Sequence, residues 1–478
     1  MTTDNDTIAA VSTAPGEGGI GIVRISGDKA AEILGNIFSI CDRDGANLHS
    51  VFSDKKMYYG HIVEPASKET VDEVLVVLMK GPHSYTGEDV AEIQCHGGSI
   101  PLMKILDIVI SLGAVPAQPG EFTKRAFLNG RIDLVQAGAV IDLIRSKTVR
   151  GYHSAKEQAE GRLSEKVKEI REILLVLLAE IAVRIDYPDE FEQEDKNNRY
   201  ELVQRIQETE SLINQLLEGA EAGRIIRDGI RVAIIGKPNT GKSSLFNALS
   251  KEDAAIVTSM PGTTRDAIEI WLNVRGIPVL LSDTAGIRDS SEEIETLGIE
   301  RAKDQYQRAD ISIFLLDGSI PLSKEDFDIA KNLDEEKKHI IVINKTDLPQ
   351  VFGEKEITDI LPFQNDYKNN IVRLSLIDDE AGKMNKGIKE IENMIEAFVM
   401  RGVSSGSSLL VTKARHKTML ETAALELREA GEILSEDSAT EFAEVNIRAA
   451  WDVLGEMIGE RATDDVIERV FEEFCVGK

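Results

Sequence analysis

Cysteine is scarce in this 478-residue chain, which has three, and aromatic residues make up only 5% of it. Cys41, Cys95 and Cys475 show no paired spacing, so a disulfide framework or a cysteine-based zinc site is not expected. Cys475 lies three residues from the C-terminus and is either an accessible thiol or a small buried hydrophobe. Long apolar runs are also missing. The most apolar stretch, "ILLVLLAEIAV" from Ile173, contains Glu180 and falls short of the ~20 residues a membrane span needs, so it predicts a buried helix face. Positive charge is in deficit: 55 Lys and Arg against 83 Asp and Glu leave a net charge of −28. A surface of that sign repels phosphates and argues against broad, nonspecific nucleic-acid binding. Any RNA contact needs a partner that carries the RNA or a local basic patch, such as "RSKTVR" (145–150) or "KARHK" (413–417), which otherwise read as solvated helix faces. The opening "MTTDNDTIAA" is acidic and polar, unlike a secretory signal or mitochondrial presequence, and a cytoplasmic protein without membrane association is expected.

Residues 1–120 carry the strand-like runs "GIGIVRIS", "MYYGHIV" and "DEVLVVLM", with "SIPLMKILDIVISLG" as a helix between strands, which predicts an α+β domain. Gly16, Gly18 and Gly21 fit G-x-G-x-x-G, but Pro15 precedes them and an alternating strand pattern follows. A dinucleotide fingerprint needs a strand before and a helix after, so an oxidoreductase reading is rejected. From 121 to about 221, and again from 399 to 478, apolar residues recur at helical spacing. Residues 222–398 alternate apolar strands with helices. The expected architecture is multidomain: an N-terminal α+β domain, a helical domain in two separated segments, and an α/β domain inserted between them, with "GVSSGSS" (402–408) as a return linker.

The inserted region carries ordered nucleotide motifs. "GKPNTGKSS" begins at Gly236 directly after the apolar strand "RVAII" and fits G-x-x-x-x-G-K-[ST]. Backbone N–H groups from Asn239, Thr240 and Gly241 onward would wrap a β-phosphate, Lys242 would reach the β- and γ-phosphates, and Ser243, followed by Ser244, would place a hydroxyl on Mg²⁺. In "DTAG", Asp283 can reach the magnesium ion and Gly286, after Thr284 and Ala285, can offer its N–H to the γ-phosphate. "NKTD" supplies Asn344, Lys345 and Asp347, whose carboxylate selects guanine through N1–H and the exocyclic amine. The last guanine loop, ordinarily Ser-Ala-Lys, is Ser375-Leu376-Ile377 here. The residue after the DTAG glycine is Ile287, which cannot orient the attacking water as the glutamine of Ras-like proteins does. The order of motifs predicts a Ras-like, P-loop GTP-binding domain.

With "IVTSMPGTTRD" (256–266), "PNTGKSS", "DTAGIR", "GEDVAEIQCHGG" and the terminal "FCVGK", the whole chain closely resembles the MnmE/TrmE family of tRNA-modification GTPases. The resemblance implies a GTP hydrolase activated by K⁺ when two G domains meet across a homodimer. It implies that Asn239 coordinates K⁺, that Thr258, Met260 and Thr263 close around it within the loop that includes Ser259, Pro261 and Gly262, and that Thr264 joins Ser243 on Mg²⁺. A cation beside the β/γ-bridge would neutralise charge as an arginine finger does. Glu295 matches the family glutamate that orients water. The resemblance further implies that the N-terminal domain has a folate-binding-like fold and mediates dimerisation. Arg24, Glu88, Arg131 and Lys478 correspond to its pocket for a tetrahydrofolate derivative; the family commonly has Lys where Arg131 stands. Cys475 falls in the family's terminal Cys-x-Gly-Lys. The implied function is C5 modification of the wobble uridine of tRNA with a flavoprotein partner of the MnmG (GidA) type, using FAD, in a heterotetramer. The alternative is a switch GTPase of ribosome assembly or signalling whose N-terminal domain only dimerises.

Overall fold

The computed structural model describes residues 6–40, 52–187, 196–252, 269–283, 303–361, 370–377, 383–400, 410–436 and 440–478. Two compact units are present. One comprises residues 1–144, 158–183 and 447–478, the other residues 145–157 and 184–446.

The first unit is built on a seven-stranded sheet of order β3-β4-β5-β6-β2-β1-β7. Its strands are β1 (Ile8–Val11), β2 (Ile20–Ser26), β3 (Phe38–Ile40), β4 (Met57–Val63), β5 (Thr70–Met79), β6 (Val90–His96) and β7 (Val115–Pro116). Apolar and polar residues alternate along β2 and β5 because one face packs inward, against α1 (Ala30–Ile37) and α2 (Ser99–Ser111). Gly16 and Gly18 lie in the loop before β2 and Gly21 lies within it, so the glycine pattern does not open a helix. A side chain on Gly21 would collide with Leu102 of α2, which is why a strand residue there is glycine. Next come α3 (Glu121–Leu128) and α4 (Leu134–Arg145). The C-terminal helix α5 (Asp464–Phe471) joins them, burying Phe471 and Phe474 beside Leu134 and Ile141.

The second unit holds a six-stranded sheet of order β13-β12-β11-β8-β10-β9. The strands are β8 (Ile230–Ile235), β9 (Glu269–Val274), β10 (Ile277–Asp283), β11 (Ile311–Asp317), β12 (Lys338–Asn344) and β13 (Ile371–Arg373). β8, β10, β11, β12 and β13 run parallel, and β9 is antiparallel to β10. "ISIFLLD" and "KHIIVIN" are buried almost end to end because a parallel sheet has both faces covered by helices. The two apolar clusters on either side of this sheet contain Ile313 and Leu315 on one face and Phe314 and Leu316 on the other. The long helices α6 (Lys196–Glu218) and α7 (Ala414–Ser435), far apart in sequence, pack on each other, with Ile206 meeting Gly431. The linker at 402–408 lies outside the described residues. Among the described residues no helix is long and apolar enough to cross a membrane.

Candidate functional site

In an open parallel sheet, ligands bind beyond the carboxyl ends of the strands. The loops after β8, β12 and β13 carry nucleotide motifs and leave the sheet at that edge, where β10 also ends at Asp283. The β8 loop has a backbone that few residues adopt. Gly236 has φ +149°, with the Leu315 carbonyl 2.5 Å from where a Cβ would stand. Gly241 has φ +104°, and its Cβ would meet the Asn344 amide. Asn239 takes φ +64°, a left-handed conformation that asparagine tolerates better than most residues. Helix α8 (Lys242–Glu252) follows, so its first-turn N–H groups face the same edge. Lys242 Nζ donates to the carbonyls of Gly236 (2.8 Å) and Lys237 (2.9 Å), which holds the ammonium over the loop. Ser243 and Ser244 are exposed on the first turn.

The loops that carry NKTD and Ser375 are tied to this loop. Asn344, at the end of β12 and 3% exposed, donates through Nδ2 to the Thr240 carbonyl at 2.7 Å. Lys345 has φ +63° and pairs through Nζ with Asp317 Oδ2 at 2.6 Å. Burial pushes the Asp317 carboxyl up, but hydrogen bonds from Lys345 and Ser319 outweigh this and hold it below the usual carboxylate range. Asp347 is exposed, and its Oδ1 accepts the Ser375 hydroxyl at 2.6 Å. The buried Ser375 therefore orients the Asp347 carboxylate even though the loop departs from Ser-Ala-Lys, and Leu376 packs beside Gly241. Asp283 closes β10, opposite Ile234 of β8. Thr258, Ser259, Met260, Pro261, Gly262, Thr263, Thr264, Thr284, Ala285, Gly286, Ile287 and Glu295 lie outside the described residues.

A second cluster forms in the other unit. Arg24 stands on β2 between β1 and β6, opposite Glu92. Its Nε and Nη2 contact Glu92 Oε1 at 2.9 and 2.8 Å, and its Nη1 donates to the Gly477 carbonyl at 3.4 Å. The guanidinium carbon lies 5.4 Å from the Tyr85 ring centroid and 5.6 Å from that of Phe122. Arg131 reaches the other participant of this stack. Its Nη1 donates to the Tyr85 carbonyl at 2.7 Å, and its guanidinium lies 4.9 Å from the same ring. Glu88 accepts the Ser26 hydroxyl at 2.7 Å and Arg125 Nη1 at 3.2 Å on each oxygen. Arg125 is buried and also bridges Glu121 at 3.0 Å. The C-terminal tail comes to the same place. The Gly477 carbonyl accepts the Ser12 hydroxyl at 3.0 Å, and the Cys475 carbonyl accepts the Gly120 N–H at 3.3 Å, while Cys475 itself is exposed. Lys478 directly follows. Sequence reasoning missed Tyr85, Glu92, Glu121 and Arg125. An aromatic in "HSYTGED" beside a quoted motif was the available signal for Tyr85, and nothing local marked the others.

Two further titratable groups stand at the end of β6. Cys95 is buried, and burial, with Asp72 nearby, pushes its thiol up to about 11. His96 is exposed and hydrogen-bonds Asp72 through Nδ1 at 2.6 Å, which raises its pKa.

Comparison with known proteins bears on the whole chain. Residues 7–131 match the family described as "GTP-binding protein TrmE N-terminus", and residues 134–475 match "MnmE helical domain". A protein named tRNA modification GTPase MnmE from Alkaliphilus oremlandii is 46% identical over 475 residues, 99% of each chain. Its namesake from Clostridioides difficile is 43% identical over 476 residues, again 99% of each. Among solved structures, Aquifex aeolicus Era bound to GDP and AlF4⁻ is similar at 24% identity and a TM-score of 0.26, over 41% of this chain and 67% of that one.

Proposed function

The chain belongs to the MnmE family of tRNA modification GTPases and is a GTP hydrolase, and from that premise we propose that it is a K⁺-dependent, dimer-activated GTPase serving C5 modification of the wobble uridine of tRNA. The observation that carries this is the linked set of loops at one sheet edge, where Asn344 ties the guanine-reading loop to the phosphate loop. In this reading Lys242 binds the β- and γ-phosphates, Ser243 and Thr264 hold Mg²⁺ with Asp283 nearby, and Asp347, oriented by Ser375, selects guanine. Asn239 suits a K⁺ ligand: it is exposed, sits at a left-handed backbone position of the loop, and its amide oxygen can offer a lone pair to a cation. Thr258, Met260 and Thr263 complete that site and Glu295 orients water in the same proposal. The cation compensates for the side chain that Ile287 cannot supply.

The N-terminal cluster suits a tetrahydrofolate derivative, whose chemistry when bound is to supply a one-carbon unit. Arg24 and Arg131, flanking Tyr85, offer cationic and aromatic surface for carboxylates and a flat ring. Glu88, held by Ser26 and Arg125, is fixed as an acceptor for ring N–H groups. Lys478 adds charge beside Gly477, and the exposed Cys475 is the reactive candidate on the tail. We assign residues 1–120 to the folate and dimerisation domain, 222–398 to the G domain, and 121–221 with 399–478 to the helical domain. Its partners in this reading are a second copy, an MnmG-type flavoprotein and tRNA, in the cytoplasm. Calorimetric titration of the full-length protein with a tetrahydrofolate tests the pocket. Binding that is lost in Arg24→Ala and on deletion of Lys478 is expected. No binding by the wild-type protein would favour a switch GTPase whose first domain only dimerises.

A further inference from the structure

Two carboxylates outside every nucleotide motif are built in beneath the nucleotide loops. β11 ends at Asp317, and the chain then runs to helix α9 (Lys324–Lys331), whose first turn holds Asp326. Asp326 is 1% exposed. Its Oδ2 accepts the Ser323 N–H and hydroxyl, each at 2.8 Å, and the Lys237 ammonium at 2.6 Å. Lys237 is the second residue of the phosphate loop. Its carbonyl accepts Thr240 Oγ1 and Lys242 Nζ, both at 2.9 Å. One residue therefore anchors its side chain on Asp326 while its main chain holds the lysine of the phosphate site. At the other end, Asp317 is 6% exposed and pairs with Lys345 of the guanine-reading loop. Its Oδ1 accepts the Ser319 N–H at 3.0 Å and hydroxyl at 2.6 Å, and the Gly318 N–H donates to the Asn344 carbonyl at 3.0 Å.

Buried ion pairs are a weak source of stability, because desolvation offsets the attraction and an apolar pair often serves as well. Their better-attested use is to fix one arrangement among several. Here each pair joins a different nucleotide loop to the same ten-residue connector.

We propose that residues 317–326 form a positioning bracket: Asp317 holds the guanine-reading loop through Lys345, and Asp326 holds the phosphate loop through Lys237, so that one connector sets the spacing between the base and phosphate subsites. Neither acid is a catalytic residue; each acts through a lysine. The two ends have different kinetic consequences. Loosening Lys345 weakens base recognition, which is made equally in ground and transition states and is read in KM. Loosening Lys237 releases the carbonyl that places Lys242, and misplacement of a phosphate-binding group is read mainly in kcat.

The test uses full-length protein, GTP turnover in KCl and equilibrium binding of a fluorescent GDP analogue. The proposal rests on the GTPase reading, and turnover by the wild-type protein in the same assay checks that reading separately. Asp317→Asn is expected to raise KM and the GDP Kd about tenfold with kcat within about twofold. Asp326→Asn is expected to lower kcat about tenfold with a smaller change in KM, and Lys237→Arg, which keeps the charge, to retain most of kcat. If Asp326→Asn does not fold, the pair Lys237→Met with Asp326→Leu removes both buried charges together and is expected to show the same kcat loss at a near-wild-type melting temperature. Folded variants with wild-type kcat and KM, or with kcat and KM moving in equal proportion at both ends, would overturn the bracket.

Discussion

His339 is fully buried on β12, with Nδ1 2.6 Å from the Ser312 hydroxyl and Nε2 2.8 Å from the Asp334 carbonyl. A carbonyl only accepts, so Nε2 carries a proton, and in the neutral ring Nδ1 accepts from Ser312. Burial pushes its pKa below the ordinary value, although the Asp334 carbonyl pulls the other way. His416 is shifted in the same direction, well below, again by burial. The unfolded chain takes up a proton near pH ~6.5 while the folded ring resists it. The stability these histidines contribute is thus present above that pH and is lost as pH falls toward the depressed folded value. Denaturant midpoints should drop between pH 7.5 and 5.5, and His339→Gln, though less stable at neutral pH, should show a shallower drop. A slope equal to that of the wild type would contradict this protonation state. At this scale, legibility followed contiguity. "GKPNTGKSS" and "NKTD" were readable because their chemistry needs fixed local spacing. Asp317 and Asp326 were not, because among 83 acidic residues nothing in their neighbourhood marks them as the partners of Lys345 and Lys237 on distant loops.

Strands and helices were read largely from periodicity, and their contacts were not. "GIGIVRIS", "MYYGHIV" and "SIPLMKILDIVISLG" form β2, β4 and α2, as alternation and helical spacing require. Residues 145–157 show the limit. Thr148 Oγ1 donates to the Gly276 carbonyl at 2.8 Å, Lys147 stacks over Trp271, and Arg150 pairs with Glu396 at 3.7 Å, so this segment packs in the unit that holds the nucleotide loops. Partners more than a hundred residues away leave no local trace. The C-terminal tail is another element whose placement depends on one residue. Gly477 has φ +92°, and a Cβ there would collide with the Val11 carbonyl. Gly477→Ala should lift the tail from Ser12 and Arg24 and abolish tetrahydrofolate binding in calorimetry, with a loss of stability of about 1–3 kcal/mol. Undiminished binding would mean that the tail takes no part in the pocket.

For the molecule as a whole, the family match spans two compact units, one with the GTP motifs and one with the arginine-lined cluster. A net charge of −28 makes every rate sensitive to ionic strength, so a specific cation effect is meaningful only at matched salt. Asn239 is the residue on which that effect should depend. Asn239→Gly is the informative replacement, because glycine keeps the left-handed backbone at φ +64° while removing the amide. The most direct measurement is GTP turnover of the full-length protein in KCl against NaCl at equal ionic strength. Turnover in K⁺ should exceed that in Na⁺ by at least about tenfold, a ratio that Asn239→Gly brings close to one. Equal, slow rates of the wild-type protein in both salts would contradict cation activation and leave Ile287 as the mark of a GTPase that needs an outside activator.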